Sequence, residues 1–183
     1  MVKHAIIADR IHLVELNALD WSDTDALINA ISRSIEIKAE ITQQDPFERG
    51  LRKALNFGHT VGHAIESVFM GTDNHALHGE AVAAGMILES WLSAQLCGLD
   101  QAECDNIAAF CHSVFPQLPL EAGIENDLLG FMQHDKKNEG GKIRFALIEA
   151  IGTPKLDVEC PTEMLAEALA YYRNTAPNPA SEA

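Results

Sequence analysis

The sequence predicts a mainly α-helical protein, a multi-helical bundle with one small β-hairpin. Most segments repeat apolar residues every three or four positions, as one face of a helix does. Within residues 142–160, β-branched and apolar residues instead flank a turn signal, Gly152-Thr153-Pro154. No linker divides the chain. We therefore expect one helical domain over residues 1–173 and a disordered tail over residues 174–183.

Composition excludes several classes of protein. The chain has 183 residues, of which 47% are hydrophobic and 22% charged, as in a single globular domain. It has no apolar run near the ~18 residues of a membrane span and no signal-peptide pattern, so we expect a soluble, cytoplasmic protein without a membrane partner. The net charge of −14 would repel nucleic acid. The four cysteines lack a CxxC spacing and are predicted to be reduced.

The first long helix is predicted from Ser22 to Asp45. Ser22 and Asp25 have the spacing of a capping box, and proline follows Asp45. Its inward stripe is predicted to contain Ile28, Ile31, Ile35 and then Lys38. A lysine on an inward stripe either extends its ammonium to the surface or faces an anionic ligand.

The second helix is predicted from Glu48 to Phe69, with two different faces. The apolar face contains Leu51, Leu55, Gly58, Gly62, Ile65 and Phe69. The other face, here called the polar row, contains Glu48, Arg52, Asn56, His59, His63 and Glu66. A solvated face more often carries Lys, Glu and Gln, so the polar row indicates either a functional surface or an unusual solvated one.

Further helices follow in the second half of the chain. Residues 79–97 are apolar nearly all round, which predicts a central buried helix that ends at Gly98. Three more helices are predicted over residues 101–114, 125–134 and 162–173.

Three histidines are candidate metal ligands. His59 and His63 are four residues apart, so one face of a helix carries both, and His78 in a polar segment supplies a third imidazole. Spacing alone leaves open which two would bind, or whether all are ordinary histidines. Glu80 could be a ligand, but an acid in the first turn of a helix is favoured by the dipole. Glu66 could orient an imidazole or face water.

Three segments together resemble a known family. SIEIKAEITQQDPFERGLRKALNFGHTVGHAIE, LHGEAVAAGM and HDKKNEGGKIRFALIEAIG are similar, in order and spacing, to the C-terminal domain of the 3-dehydroquinate synthases, over about residues 1–172. The resemblance implies a metal- and substrate-binding domain of a phosphate-eliminating carbon–oxygen lyase of the shikimate pathway, which leads to the aromatic amino acids. In that family, 3-deoxy-D-arabino-heptulosonate 7-phosphate becomes 3-dehydroquinate and phosphate, with NAD and a divalent metal, usually zinc.

The resemblance also implies roles for individual residues. His59 and His78 would bind Zn²⁺ or Co²⁺, while His63 would act at the phosphate end of the substrate or in proton transfer. Glu48 would accept a proton, and Lys38 would join it and His63 in the catalytic set. The implied substrate-binding residues are Lys3, Lys38, Arg52, Asn56, His63 and Lys136, with Lys137 as the alternative to Lys136.

The sequence departs from the family pattern in two ways. The NAD-binding domain that precedes this part in the family is absent, and so is a metal-binding glutamate that would lie just before Val2. We therefore expect a fragment that has an incomplete metal site, binds no NAD and is inactive alone; the resemblance implies that the full enzyme is a homodimer. Alternatives are a domain of another sugar-phosphate cyclase, such as an inosose or valiolone synthase, or a non-catalytic helical metal-binding module. The HTVGHAIE and HGEAVAAGM segments argue against the more distant metal-dependent polyol dehydrogenases.

Overall fold

The computed structural model describes residues 1–72, 75–134 and 143–175. Its helices are α1 (Val2–Ala8), α2 (Arg10–Asn17), α3 (Thr24–Gln44), a 3₁₀ helix (Leu51–Asn56), α4 (His59–Phe69), α5 (His78–Leu96), α6 (Gln101–Val114), α7 (Glu125–His134) and α8 (Met164–Asn174). The strands are β1 (Arg144–Ala150) and β2 (Thr153–Glu159). The predicted fold class, a helical bundle with one hairpin, is confirmed.

Helix α5 is the centre of the core, as its all-round apolar sequence predicts. It packs against α4, α6, α8 and β1, and residues 81–90 are buried without interruption. The chain leaves this helix through Gly98, whose φ of 89° is the left-handed geometry expected after a helix C-terminus. The apolar positions on all sides of α5 are thus explained by neighbours on all sides.

Small residues bring α4 and α5 into backbone contact. A Cβ atom added to Gly62 would lie 3.0 Å from Cα of Val82, and one added to Gly85 would lie 2.9 Å from the backbone N of Gly62. Because neither glycine carries a side chain, the two helix axes can approach closely at this point. This contact places the start of α4 beside the first half of α5.

The prediction of one continuous helix over residues 48–69 is wrong. The 3₁₀ helix ends at Asn56, and α4 begins at His59 after a break at Phe57 and Gly58. Gly58 has φ 78°, which is not a helical conformation, and its carbonyl group faces Gly85 of α5. The turn at Gly58 therefore redirects the chain onto α5, and the polar row does not lie on one rigid helix.

The predicted start and inward face of the first long helix are also wrong. Asp23, not Ser22, caps α3, since its side chain accepts hydrogen bonds from the backbone N–H groups of Asp25 and Ala26. The buried residues of α3 are Ser34, Ile37 and Ile41. The exposed residues include Ile28, Ile31, Ile35 and Lys38. The helix carries two apolar rows, and α3 packs with the other one against α1 and the 3₁₀ helix.

The hairpin forms where it is predicted. Strands β1 and β2 pair antiparallel, with Ala150 opposite Thr153 at the turn. The backbone N–H of Gly152 donates a 2.8 Å hydrogen bond to the carbonyl oxygen of Ile6, so the turn docks on α1. The last helix ends at Asn174, and residues 176–183 of the predicted tail lie outside the described residues.

Two further expectations can be compared with the structure. All four cysteines are free thiols, as predicted. Cys104 and Cys111 are buried in the core, whereas Cys97 and Cys160 are half-buried. Among the described residues, no helix combines the length and the apolar character that crossing a membrane requires.

Candidate metal and substrate site

Three histidines meet where α4 and α5 begin. His59 is the first residue of α4, His63 lies one turn later, and His78 is the first residue of α5. One ring nitrogen from each lies within 4.8 Å of the others. His59 is partly buried, whereas His63 and His78 are exposed. Nitrogen atoms at these separations can converge on one divalent ion, so the imidazoles that the sequence singled out form a candidate metal site.

Hydrogen bonds determine which ring nitrogen carries the proton in two of these histidines. Nδ1 of His59 lies 3.2 Å from the carbonyl oxygen of Phe57, and Nδ1 of His78 lies 3.0 Å from a carboxylate oxygen of Glu66. Both partners only accept hydrogen bonds, so each Nδ1 carries the proton and, in the neutral ring, each Nε2 keeps its lone pair. A partner of this kind commonly orients a metal-binding histidine. The interpretation of Glu66 as an orienting residue is therefore supported by its contact.

Lys3 of α1 reaches into the same place. Its Nζ donates a 2.6 Å hydrogen bond to the carbonyl oxygen of Leu55 and lies 3.4 Å from Nε2 of His59. Burial and then the positive charge of Lys38 lower the pKa of Lys3 to about 8. Burial and then the charge of Lys3 lower the pKa of His59 to about 4. His59 is thus a neutral imidazole at pH 7, which is the form that binds metal.

Glu48 and Asn56 form a second part of the candidate site. Nδ2 of Asn56 donates a 2.8 Å hydrogen bond to Oε1 of Glu48. Glu48 has φ 55°, a left-handed conformation that is unfavourable for a residue with a Cβ atom. The loop that imposes this conformation is held by Asp45. This conformation lowers the stability of the fold, and it places the Glu48 carboxylate beside Asn56.

Asp45 is an organising residue that the sequence interpretation treated only as a helix end. Its carboxylate accepts hydrogen bonds from the backbone N–H groups of Arg49, Gly50 and Arg52, at 3.0, 2.7 and 3.1 Å. The bonds from Arg49 and Gly50 are the largest causes that lower the pKa of Asp45. The side chain of Arg52 donates to the carbonyl oxygen of Pro46 at 2.9 Å, which ties it to the same loop.

The remaining candidate residues have different outcomes. Lys38 is exposed rather than inward, yet it is close enough to Lys3 to affect its pKa. Glu80 accepts a 2.9 Å hydrogen bond from the backbone N–H of Leu77, so its interpretation as a first-turn acid is confirmed. Lys136 and Lys137 lie outside the described residues.

Sequence reasoning missed Glu89, an acid inside the core beneath this site. Glu89 lies on α5 with 0% of its surface exposed. Its two carboxylate oxygens accept hydrogen bonds from the backbone N–H groups of Gly58 and Val61, at 2.6 and 3.2 Å. Burial raises the pKa of Glu89 to about 8, although these bonds act in the opposite direction. A single acid in an otherwise apolar helical run was the available signal.

Comparison with known families identifies the chain. The family model described as 3-dehydroquinate synthase C-terminal matches residues 1–138. The chain belongs to this family. Its members include the 3-dehydroquinate synthase of Parabacteroides distasonis, which is 35% identical over 180 residues covering 96% of this chain and 50% of the relative. The 3-dehydroquinate synthase of Acidithiobacillus ferrooxidans is 41% identical over 162 residues, covering 86% of this chain and 43% of the relative.

Solved structures show the same fold for this C-terminal domain of the 3-dehydroquinate synthase family. A 2-epi-5-epi-valiolone synthase from Streptomyces hygroscopicus, with NAD⁺ and Zn²⁺ bound, superposes with a TM-score of 0.75 at 21% identity, over 94% of this chain and 49% of that structure. A 2-deoxy-scyllo-inosose synthase complexed with carbaglucose-6-phosphate, NAD⁺ and Co²⁺ gives 0.74 at 20% identity, over 92% and 48%. The chain thus spans about half the length of the relatives it matches.

Proposed function

We propose that this chain is the metal- and substrate-binding part of a 3-dehydroquinate synthase. The proposed reaction converts 3-deoxy-D-arabino-heptulosonate 7-phosphate to 3-dehydroquinate and phosphate in the shikimate pathway, in the cytoplasm. The observation that carries the proposal is the convergence of the three imidazoles within 4.8 Å in a chain of this family.

His59 and His78 are the proposed protein ligands of a divalent ion, Zn²⁺ or Co²⁺. Each of the three imidazoles offers one ring nitrogen to the ion, and such a donor set suits Zn²⁺ or Co²⁺. In His59 and His78 the protonated Nδ1 faces an acceptor, which leaves Nε2 for the ion. When bound, the ion supplies Lewis acidity toward a substrate oxygen. His63, on the same helix face, is exposed and is proposed to contact the phosphate end of the substrate or to transfer a proton.

The proposed substrate carries a carboxylate and a phosphate, and a basic residue, Lys3, lies beside the histidines. Lys3 adds positive charge beside His59, and Lys38 is close enough to Lys3 to lower its pKa, in a chain with a net charge of −14. Arg52 and Asn56 follow on the 3₁₀ helix, and charge-assisted hydrogen bonds from such groups hold and orient anions. Lys136 is proposed as a further anion contact.

Glu48 is proposed to accept a proton from the substrate. Its carboxylate is held by Asn56 at 2.8 Å, in a loop fixed by Asp45. A general base has to be held within hydrogen-bond reach of the proton it removes, and a preorganised loop meets that requirement.

The complete reaction is proposed to need the half of the relatives' length that this chain does not span. NAD binding and homodimer formation are proposed for the longer protein. We expect no turnover from the residues described here alone, because none of the proposed roles provides hydride transfer.

A second candidate function is that of another sugar-phosphate cyclase. The solved structures with this fold include a valiolone and an inosose synthase. Their identities of 20–21% are well below the 35–41% of the 3-dehydroquinate synthases, which favours the latter. Product analysis of the longer protein with each sugar phosphate separates the two.

Zinc affinity tests the metal site directly. Zn²⁺ binding by competition with a chromophoric chelator should weaken at least tenfold in His59→Ala and in His78→Ala, because each removes one of few ligands. His75→Ala, at an exposed histidine outside the cluster, is the matched control and should bind as the wild type does. Equal affinity in all four proteins would reject the site.

A further inference from the structure

We propose that Glu89 is a positioning residue that holds His59 in place relative to His78, an inference that rests on the metal site proposed above. Among the described residues, the Glu89 side chain makes no hydrogen bond to either histidine. It lies on α5, the helix that His78 begins, and its carboxylate contacts the start of α4, the helix that His59 begins. One helix therefore supplies one proposed ligand and the support for the other.

The start of α4 needs an acceptor that its own sequence does not provide. The first N–H groups of a helix have no partner within the helix, and a side chain at the N-cap position usually accepts from them. The N-cap residue of α4 is Gly58, which has no side chain. Glu89 takes this role from a different helix.

Both carboxylate oxygens are used, and the two bonds lie on either side of His59. Oε2 accepts from the N–H of Gly58 at 2.6 Å, and Oε1 accepts from the N–H of Val61 at 3.2 Å. Two bonds to residues that precede and follow His59 restrict both the rotation and the translation of this turn. The direction in which the His59 ring leaves the backbone is restricted as a consequence.

The neighbouring glycines leave little room for an alternative arrangement. A Cβ atom on Gly85, one turn before Glu89 on α5, would meet the backbone of both Gly58 and Gly62. The backbones of α4 and α5 are therefore in direct contact beside the Glu89 carboxylate. A displaced carboxylate would allow the turn to shift along this contact.

Burying an acid between two helices costs free energy, because its polar group loses contact with water. The positive end of the α4 dipole and the charge of Lys3 offset part of that cost. Glutamine has a similar shape but replaces one oxygen with an NH₂ group, which cannot accept from an N–H. Both oxygens of a glutamate side chain can accept from the two amides, whether or not the buried acid carries its proton.

The experiment compares Glu89→Gln and Glu89→Ala with Leu92→Ala, a matched variant at a fully buried residue on the same helix. Zn²⁺ affinity and the visible spectrum of bound Co²⁺ are measured in the full chain. The temperature is one at which urea unfolding curves show that each variant is folded in the absence of urea. We expect zinc affinity to fall 10–100-fold in Glu89→Ala and less in Glu89→Gln, with a changed Co²⁺ spectrum. Leu92→Ala should lose stability but keep its affinity within about twofold, because a truncated core side chain leaves the ligands in place.

Equal zinc affinity in Glu89→Ala and Leu92→Ala would overturn the proposal and leave Glu89 a purely structural residue. If the wild type binds neither metal, the proposed metal site fails, and nuclear magnetic resonance of the apoprotein decides the role of Glu89. Glu89→Gln should then shift the imidazole signals of His59 and speed amide exchange at Gly58 and Val61, while the His112 signals stay unchanged. Unmoved His59 signals would overturn the proposal in that case.

Discussion

Substituting Gly85 by alanine tests the close contact between α4 and α5. Alanine has the better helix propensity, by about 1 kcal/mol, so at an open helical position the change would stabilise the protein. At Gly85, however, the new Cβ atom would lie 2.9 Å from the backbone N of Gly62 and 3.0 Å from the carbonyl carbon of Gly58, and closer still to the Gly58 oxygen. These are backbone atoms, which cannot rotate away as a flexible side chain can.

The steric cost therefore decides the sign of the effect. Overpacking a core costs about 1–3 kcal/mol, and contact with rigid backbone belongs at the upper end of that range. After the gain in propensity, we expect the free energy of unfolding to fall by about 2 kcal/mol. For a chain of this size, that corresponds to a Tm lower by about 4–8 °C.

Urea unfolding followed by circular dichroism measures this change, with Gly130→Ala as the matched control. Gly130 lies within α7, and a Cβ atom there would meet nothing within 4 Å. The control should be more stable than the wild type by about 0.5–1 kcal/mol. If Gly85→Ala also raised the unfolding midpoint, the close approach of α4 and α5 would be refuted. Zinc affinity should fall along with stability in Gly85→Ala, because the contact positions His59.

Three further predictions concern other residues. Glu66→Gln should weaken zinc binding about tenfold in chelator competition, because a weaker acceptor then orients the His78 ring. Ser93→Ala should lower the free energy of unfolding by about 1–3 kcal/mol in urea, because the buried N–H of Ile148 loses its 3.1 Å bond to the serine oxygen. Burial lowers the pKa of His12 in the folded protein. As the pH falls below about 6.5, the unfolded chain therefore binds a proton at His12 more readily than the folded protein does, and the free energy of unfolding decreases. His12→Met should make the decline in unfolding free energy between pH 7 and pH 5 shallower; an unchanged slope would contradict this.

Helix positions were predictable where one local signal dominated. The apolar run of α5 allows only a buried helix, and the Gly152-Thr153-Pro154 signal between β-branched segments allows only a hairpin. The candidate histidines could also be found, because four-residue spacing on a helix and the resemblance to a family both point to them.

Predictions failed where two local solutions compete and packing decides between them. Helix α3 has isoleucines on two faces, and the sequence cannot say that Ile37 and Ile41 are buried while Ile31 and Ile35 are exposed. The break at Gly58 depends on the contact of its carbonyl with Gly85, 27 positions later in the printed sequence. Periodicity detects neither, since both are set by partners distant in the chain.

The same limit applies to Glu89 and Asp45. Glu89 accepts from backbone N–H groups of a distant segment, and Asp45 accepts from those of the loop that follows it. Every residue except proline has such a group, so the sequence does not identify the partner. A glutamate in an apolar run could be noticed, but its partners could be named only from the structure.

The hydrogen bond from Gly152 to Ile6 joins a late segment of the chain to α1, the helix that carries Lys3. On the ribosome, α1 emerges long before the hairpin turn that anchors it. Contacts between segments so distant in sequence form slowly during folding, because a long loop has to close first. The contacts of α1 with α3 and of Lys3 with Leu55 can form early in synthesis, so the docking of the hairpin turn is the late step that completes the support of the lysine beside the three imidazoles.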